Sequence, residues 1–121
     1  MPKLLLVDDD RFVRTTLKDI LEEHGYELAE AANGREALER VQADAPDLVL
    51  LDLFMPEMSG IEALSRIRAL NPDARIVVVS SLGSDALVQQ ALDAGARAFI
   101  INPFHPLEII STVAQVLEVP A

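Results

Sequence analysis

Cysteine is absent from all 121 residues, which removes disulfides, thiolate zinc sites and cysteine nucleophiles together. Tryptophan is also missing, and one tyrosine and four phenylalanines make up the aromatic complement. A core must therefore be built from Leu, Val, Ile and Ala. Long hydrophobic runs are lacking: stretches such as Leu48–Leu51 and Ile76–Val79 fall far short of the roughly 20 residues of a membrane span. Met1-Pro2-Lys3-Leu4 leads into a short apolar stretch ending in acids, with neither the length nor the cleavage site of a signal peptide. Positive charge is scarce, with ten Lys and Arg against twenty Asp and Glu and a formal charge of −10. That balance repels a phosphate backbone and argues against nucleic acid as a direct partner. These absences lead us to expect a cytoplasmic protein without membrane contact.

Half of the residues are hydrophobic and a quarter are charged, enough to bury a core and unlike a disordered acidic tail. The length suits one domain. No repeat, linker or low-complexity stretch interrupts it, so residues 1–121 are expected to be a single domain with no output domain attached.

Short runs rich in Val, Leu and Ile alternate with longer amphipathic segments. The strand-like runs are Lys3–Val7, Tyr26–Ala31, Asp47–Asp52, Arg75–Ser80 and Arg97–Ile101, of the kind buried on both faces of a sheet. Helical patterns cover Arg11–His24, Gly34–Ala43, Ser59–Leu70, Asp85–Ala94 and Pro106–Leu117. Gly25 and Gly95 stand where a helix end favours a left-handed residue, and Pro72 marks a stop. Asn33, Ser59 and Ser84 are expected N-caps, and Pro106 suits a first turn. Strict alternation predicts a three-layer, doubly wound (βα)5 α/β fold with a five-stranded parallel sheet and right-handed crossovers.

In such sheets a ligand site lies beyond the carboxyl ends of the strands. The first strand ends in Asp8-Asp9-Asp10, the third in Asp52, the fourth in Ser80-Ser81 and the fifth in Asn102-Pro103. Crowded carboxylates either share protons or hold a cation. Oxygen-only ligation with open positions suits Mg²⁺, and a carboxylate beside Mg²⁺ can act as a nucleophile toward a phosphoryl group. Each piece alone has a plainer reading: the triplet as turn and helix cap, Ser80 as a buried hydroxyl bonded to backbone, Asn102-Pro103 as a turn. Agreement at one edge is what points to a site.

These residues resemble the receiver domains of two-component response regulators, particularly stand-alone chemotaxis-type receivers. The resemblance spans nearly the whole chain. It rests on Leu4-Leu5-Leu6-Val7-Asp8-Asp9-Asp10, Pro46-Asp47 through Asp52, Met55-Pro56-Glu57-Met58-Ser59-Gly60, Ser80-Ser81, Ala94-Gly95-Ala96 and Asn102-Pro103-Phe104. It implies strand order 2-1-3-4-5 and a phosphoacceptor at Asp52, served by a sensor histidine kinase or phosphotransfer protein. It also implies Mg²⁺ held by Asp9, Asp52 and the Phe54 backbone carbonyl, with Asp8 acting through a bound water. Ser80 and the Ser81 N–H would take phosphoryl oxygens, Phe99 would be the aromatic switch, and Pro103 is a cis-proline candidate. Output would be a contact with a downstream protein through the fourth helix, fifth strand and fifth helix, by a monomer or weak dimer. Phe54 and Leu82, two residues past Asp52 and Ser80, would flank the hydrolytic water; neither side chain can position it, so a long-lived phosphoryl group is expected.

One position departs from the family. Receivers carry a lysine before the proline that follows the fifth strand, and here it is Asn102. Hydrogen bonds to charged groups net about 1.5–3 kcal/mol and neutral ones about 0.5–1.5. The difference is about tenfold in an equilibrium constant, which weakens phosphorylation or its coupling without abolishing it. Arg11 and His105 are the cations nearest in sequence. The alternative reading is a degenerate receiver acting as a phosphorylation-independent interaction module. An aspartyl-phosphate hydrolase fits less well, because the acid it would carry two residues past Asp52 is Phe54.

Overall fold

The computed structural model describes residues 1–118; the end of the expected 1–121 domain, positions 119–121, lies outside the described residues. Ten elements alternate: β1 (Lys3–Val7), α1 (Arg11–Glu22), β2 (Glu27–Ala31), α2 (Gly34–Asp44), β3 (Leu48–Leu51), α3 (Gly60–Leu70), β4 (Arg75–Ser80), α4 (Asp85–Asp93), β5 (Ala98–Ile101) and α5 (Pro106–Glu118). The five strands form one sheet in the order β2-β1-β3-β4-β5, and every pairing is parallel.

Successive strand residues face opposite sides, and here both sides are apolar. Leu5, Val7, Val49, Leu51, Ile76 and Val78 meet Ala37 and Val41 of α2, Ala63, Leu64 and Ile67 of α3 and Ala91 of α4. Leu4, Leu6, Leu48, Leu50, Val77, Val79 and Ile100 meet Leu17 and Leu21 of α1 and Ile109, Val113 and Val116 of α5. The sheet is thus the middle of three layers, with two cores in place of one. Among the described residues no helix is long and apolar enough to cross a membrane.

Capping follows the sequence where a side chain does the work. Asn33, Ser59 and Ser84 accept from the N–H groups of Glu36, Glu62 and Leu87, and Asp10 does the same for Phe12 at α1. Gly25 and Gly95 take φ of 84° and 111°. Element ends shift by a residue or two from expectation. α1 stops at Glu22 and not His24, where His24 and Gly25 donate back to Leu21 and Glu22 and tighten the last turn. β3 excludes Asp47, whose carboxylate instead accepts from Lys3 N at 2.8 Å. It also excludes Asp52, which keeps one ladder bond to Val7 O at 2.9 Å and then leaves the sheet. β2 and β5 begin one residue later than expected, at Glu27 and Ala98.

Candidate functional site

Because β1 and β3 are neighbours in register, Val7 lies beside Leu51, and the residues that follow both strands emerge side by side. One carboxylate oxygen from each of Asp8, Asp9 and Asp52 lies within 4.8 Å of the other two. Asp8 is buried, Asp52 half-buried and Asp9 exposed, so the cluster opens to solvent on one side. Asp10, the third member of the triplet, points elsewhere and caps α1.

Local backbone bonds hold the acids in place. Asp8 Oδ1 accepts from Asp10 N at 2.8 Å, and Asp52 Oδ1 accepts from Phe54 N at 3.2 Å. Gly60, the first residue of α3, donates to Leu53 O at 2.9 Å and packs so closely that a Cβ would overlap Leu53 Cα and come within 2.6 Å of Asp52 O. Only glycine permits this approach, which fixes the loop carrying Asp52. Burial, reinforced by the charges of Asp8 and Asp9, pushes the Asp52 carboxyl up to about 7. Asp8 is also raised, first by burial, against a lowering bond from Asp10 N–H. Three oxygen donors under mutual repulsion match what a hard divalent cation requires.

The other strand ends complete the edge. Ser80 is 1% exposed and its Oγ accepts from Leu82 N at 3.2 Å; Ser81 is exposed. Asn102 is half-buried and donates through its backbone to Ser80 O at 2.8 Å, and its peptide bond to Pro103 is cis. Phe99 is half-buried. A Cβ on Gly83 would touch its ring at 3.3 Å and run into Ile101 Cδ1, so the loop after β4 rests on β5. Phe54 is 47% exposed and helps line an open groove of about 960 Å³ leading from Asp9 between the β3–α3 loop and α4.

The fold, the acid cluster and the ordered strand-end residues agree with wider likeness. Residues 4–114 match the family model for the response regulator receiver domain. The chain belongs to the response regulator receiver family. This receiver is 45% identical over 115 residues to the chemotaxis protein CheY of Thermotoga maritima, spanning 94% of this chain and 96% of that one. It is 41% identical to CheY of Bacillus subtilis over 95% and 97% of the two chains. Among solved structures it is similar to a CheY-like receiver domain protein from Methanospirillum hungatei, with a TM-score of 0.93, 31% identity and coverage of 98% and 94%. It is also similar to a chain of the CheX–CheY–BeF3–Mg²⁺ complex from Borrelia burgdorferi, with a TM-score of 0.91, 34% identity and coverage of 94% and 87%. The CheY-like receiver is a signalling module of two-component systems.

The two cations nearest in sequence lie on the surface. Arg11 is exposed and lines a groove with Glu30 and Glu36 on the β2 side. His105 is exposed, and its Nδ1 accepts from Leu107 N at 3.1 Å, where it helps to start α5. Sequence reasoning missed Arg14, whose guanidinium donates to the Asp8 carbonyl at 2.7 Å. Its signal was readable: it falls on the same helical stripe as the buried Leu17 and Leu21.

Proposed function

We propose that this receiver is a phosphorylation-controlled switch that takes a phosphoryl group on Asp52 with Mg²⁺ and changes its protein contacts in response. The observation that carries the reading is the convergence of Asp8, Asp9 and Asp52 oxygens within 4.8 Å at the carboxyl edge of the sheet, where the fold provides a site. Asp8, Asp9 and Asp52 would hold Mg²⁺, joined by the Phe54 carbonyl, and the ion would neutralise their repulsion and draw in phosphoryl oxygens.

The chain's own groups then have separate tasks. An Asp52 Oδ attacks phosphorus; the new O–P bond forms as the P–N bond to a histidine kinase or phosphotransfer donor breaks, and the departing imidazole keeps the electron pair. Ser80 can offer its hydroxyl and Ser81 its N–H to the arriving oxygens, and Asn102 can donate from its amide. When Ser80 turns toward phosphate its Oγ gives up Leu82 N, and the loop that rests on Phe99 and Ile101 is free to move. Leu82 is 59% and Ile101 44% exposed, and Val88 of α4 is half-buried. These give the α4–β5–α5 face an apolar surface for a downstream protein. Such a switch shifts a two-state population, with phosphate favouring one state. It works in the cytoplasm as a monomer or weak dimer of the receiver domain, and autodephosphorylation resets it.

The test is intact mass after incubation with Mg²⁺ and acetyl phosphate. A phosphoryl adduct that disappears with EDTA or in Asp52→Asn supports the reading. No adduct in the natural chain, but one in Asn102→Lys, would leave a receiver fold that serves as a phosphate-independent interaction module.

A further inference from the structure

Parallel strands leave one awkward group at a turn: the carbonyl of the first residue past the last ladder rung. At β1 the final rung is Asp8 N donating to Ala31 O at 3.2 Å, and the Asp8 carbonyl then has no strand partner to continue with. Arg14, one turn into α1, supplies it from Nη1 at 2.7 Å. The same guanidinium is held at its Nε by Glu30 Oε1 of β2 at 3.0 Å, with the Arg14 side chain only 14% exposed. Lys18 steadies the other Glu30 oxygen at 3.9 Å.

The bonded carbonyl matters because it belongs to the peptide unit joining Asp8 to Asp9. That unit is planar, so holding its oxygen fixes the direction in which the chain enters Asp9, and with it the offset between two of the three clustered carboxylates. We propose that Arg14, anchored on Glu30, is a positioning residue for the metal site: it sets the Asp8–Asp9 geometry from behind without touching the ion. This rests on the reading that Asp8, Asp9 and Asp52 hold Mg²⁺. A planar guanidinium can donate to two acceptors at a fixed angle, which an ammonium group cannot reproduce.

The consequence can be separated from plain electrostatics by its sign. Arg14 is a cation near a cation site, so deleting its charge should strengthen Mg²⁺ binding if charge were its only influence. Mg²⁺ titration by calorimetry on the folded protein, with Tm recorded in parallel, gives the comparison. We expect Arg14→Met to bind Mg²⁺ about tenfold more weakly despite losing a positive charge. Arg14→Lys, which keeps the charge and loses the fork, should be weaker by at least about threefold. Glu30→Gln, a milder change, weakens binding on charge alone as well, so it is read as a pair: its loss should largely vanish when made in Arg14→Lys, where the fork that Glu30 anchors is already gone. Tighter binding in Arg14→Met with no change in Arg14→Lys would overturn the proposal in favour of electrostatics. A lower Tm with unchanged Mg²⁺ affinity would overturn it in favour of a purely structural clamp. Failure of the natural chain itself to bind Mg²⁺ would instead strike the reading of the acid cluster.

Discussion

The two halves of the sheet's carboxyl edge are built differently. On the β1–β3 side Asp8 and Asp52 accept backbone N–H groups two residues on, Gly60 locks the loop after Asp52, and α3 buries Gly60, Ala63, Leu64 and Ile67. On the β4–β5 side, residues 81–86 are all exposed and α4 buries Ala91 alone. A segment with few buried apolar contacts opens at lower free energy than one with many. The difference separates tasks: one half keeps reacting groups in place, and the other is loosely enough held to respond.

The sharpest way to break that comparison is at the fixed half. Asp52→Asn should abolish the phosphoryl adduct outright by intact mass, with Asp8 and Asp9 unable to take its place. Gly60→Ala should destabilise by about 2–4 kcal/mol in urea unfolding, because the new methyl meets backbone that cannot retreat. Gly83→Ala should lose less than about 1.5 kcal/mol, since its methyl meets the tip of Ile101, which can rotate away. Equal losses at the two glycines would erase the distinction between the halves.

Asn102→Lys tests the responding half. Restoring an ionic donor should raise adduct yield or rate about tenfold, read by mass against time. Smaller again is the pH dependence. The Asp52 carboxyl sits at about 7 against an ordinary 3.8, so the folded state holds its proton more tightly than the unfolded chain does. Without divalent cation, stability should therefore fall as pH rises from about 4 through 7. Asp52→Asn should flatten that fall and be more stable at pH 8 by about 1–2 kcal/mol after allowance for solvent screening. Added Mg²⁺ should narrow the gap by binding the folded natural chain. The smallest effect concerns water access: Phe54→Asn should shorten the phosphoryl lifetime.

Much of this arrangement was legible in the residues. Two-sided burial announced the strands, because runs such as Leu48–Leu51 have no polar alternation, and the strand-end acids fell at the edge where parallel sheets place sites. The polar caps were readable for the same reason, since each signals through its own side chain. What escaped was tertiary. α2 ends on Ala45 in the left-handed region at φ 45°, a place where glycine would have given notice and alanine did not. The overlap that makes Gly60 obligatory depends on α3 approaching Leu53, a distance no local pattern contains. Arg14 shares a helical stripe with Leu17 and Leu21 that the residues do show, but its meeting with Glu30 and the Asp8 carbonyl is tertiary.

The doubled core has a consequence for how the chain finds its alignment. In a sheet with one wet face, a slip of one residue exposes leucines and buries charges, so hydrophobicity alone polices register. Here β1, β3 and β4 are apolar on both faces, and sliding a strand by one residue would merely trade one greasy layer for another. What stops the slide is chemistry at the strand ends: moving β1 back by one would drag Asp8 between Ala31 and Leu51, and moving β3 would do the same with Asp52. A carboxylate dragged into that interior without a partner costs several kcal/mol. The acids of the candidate site thus double as the stops that tell each strand where to halt.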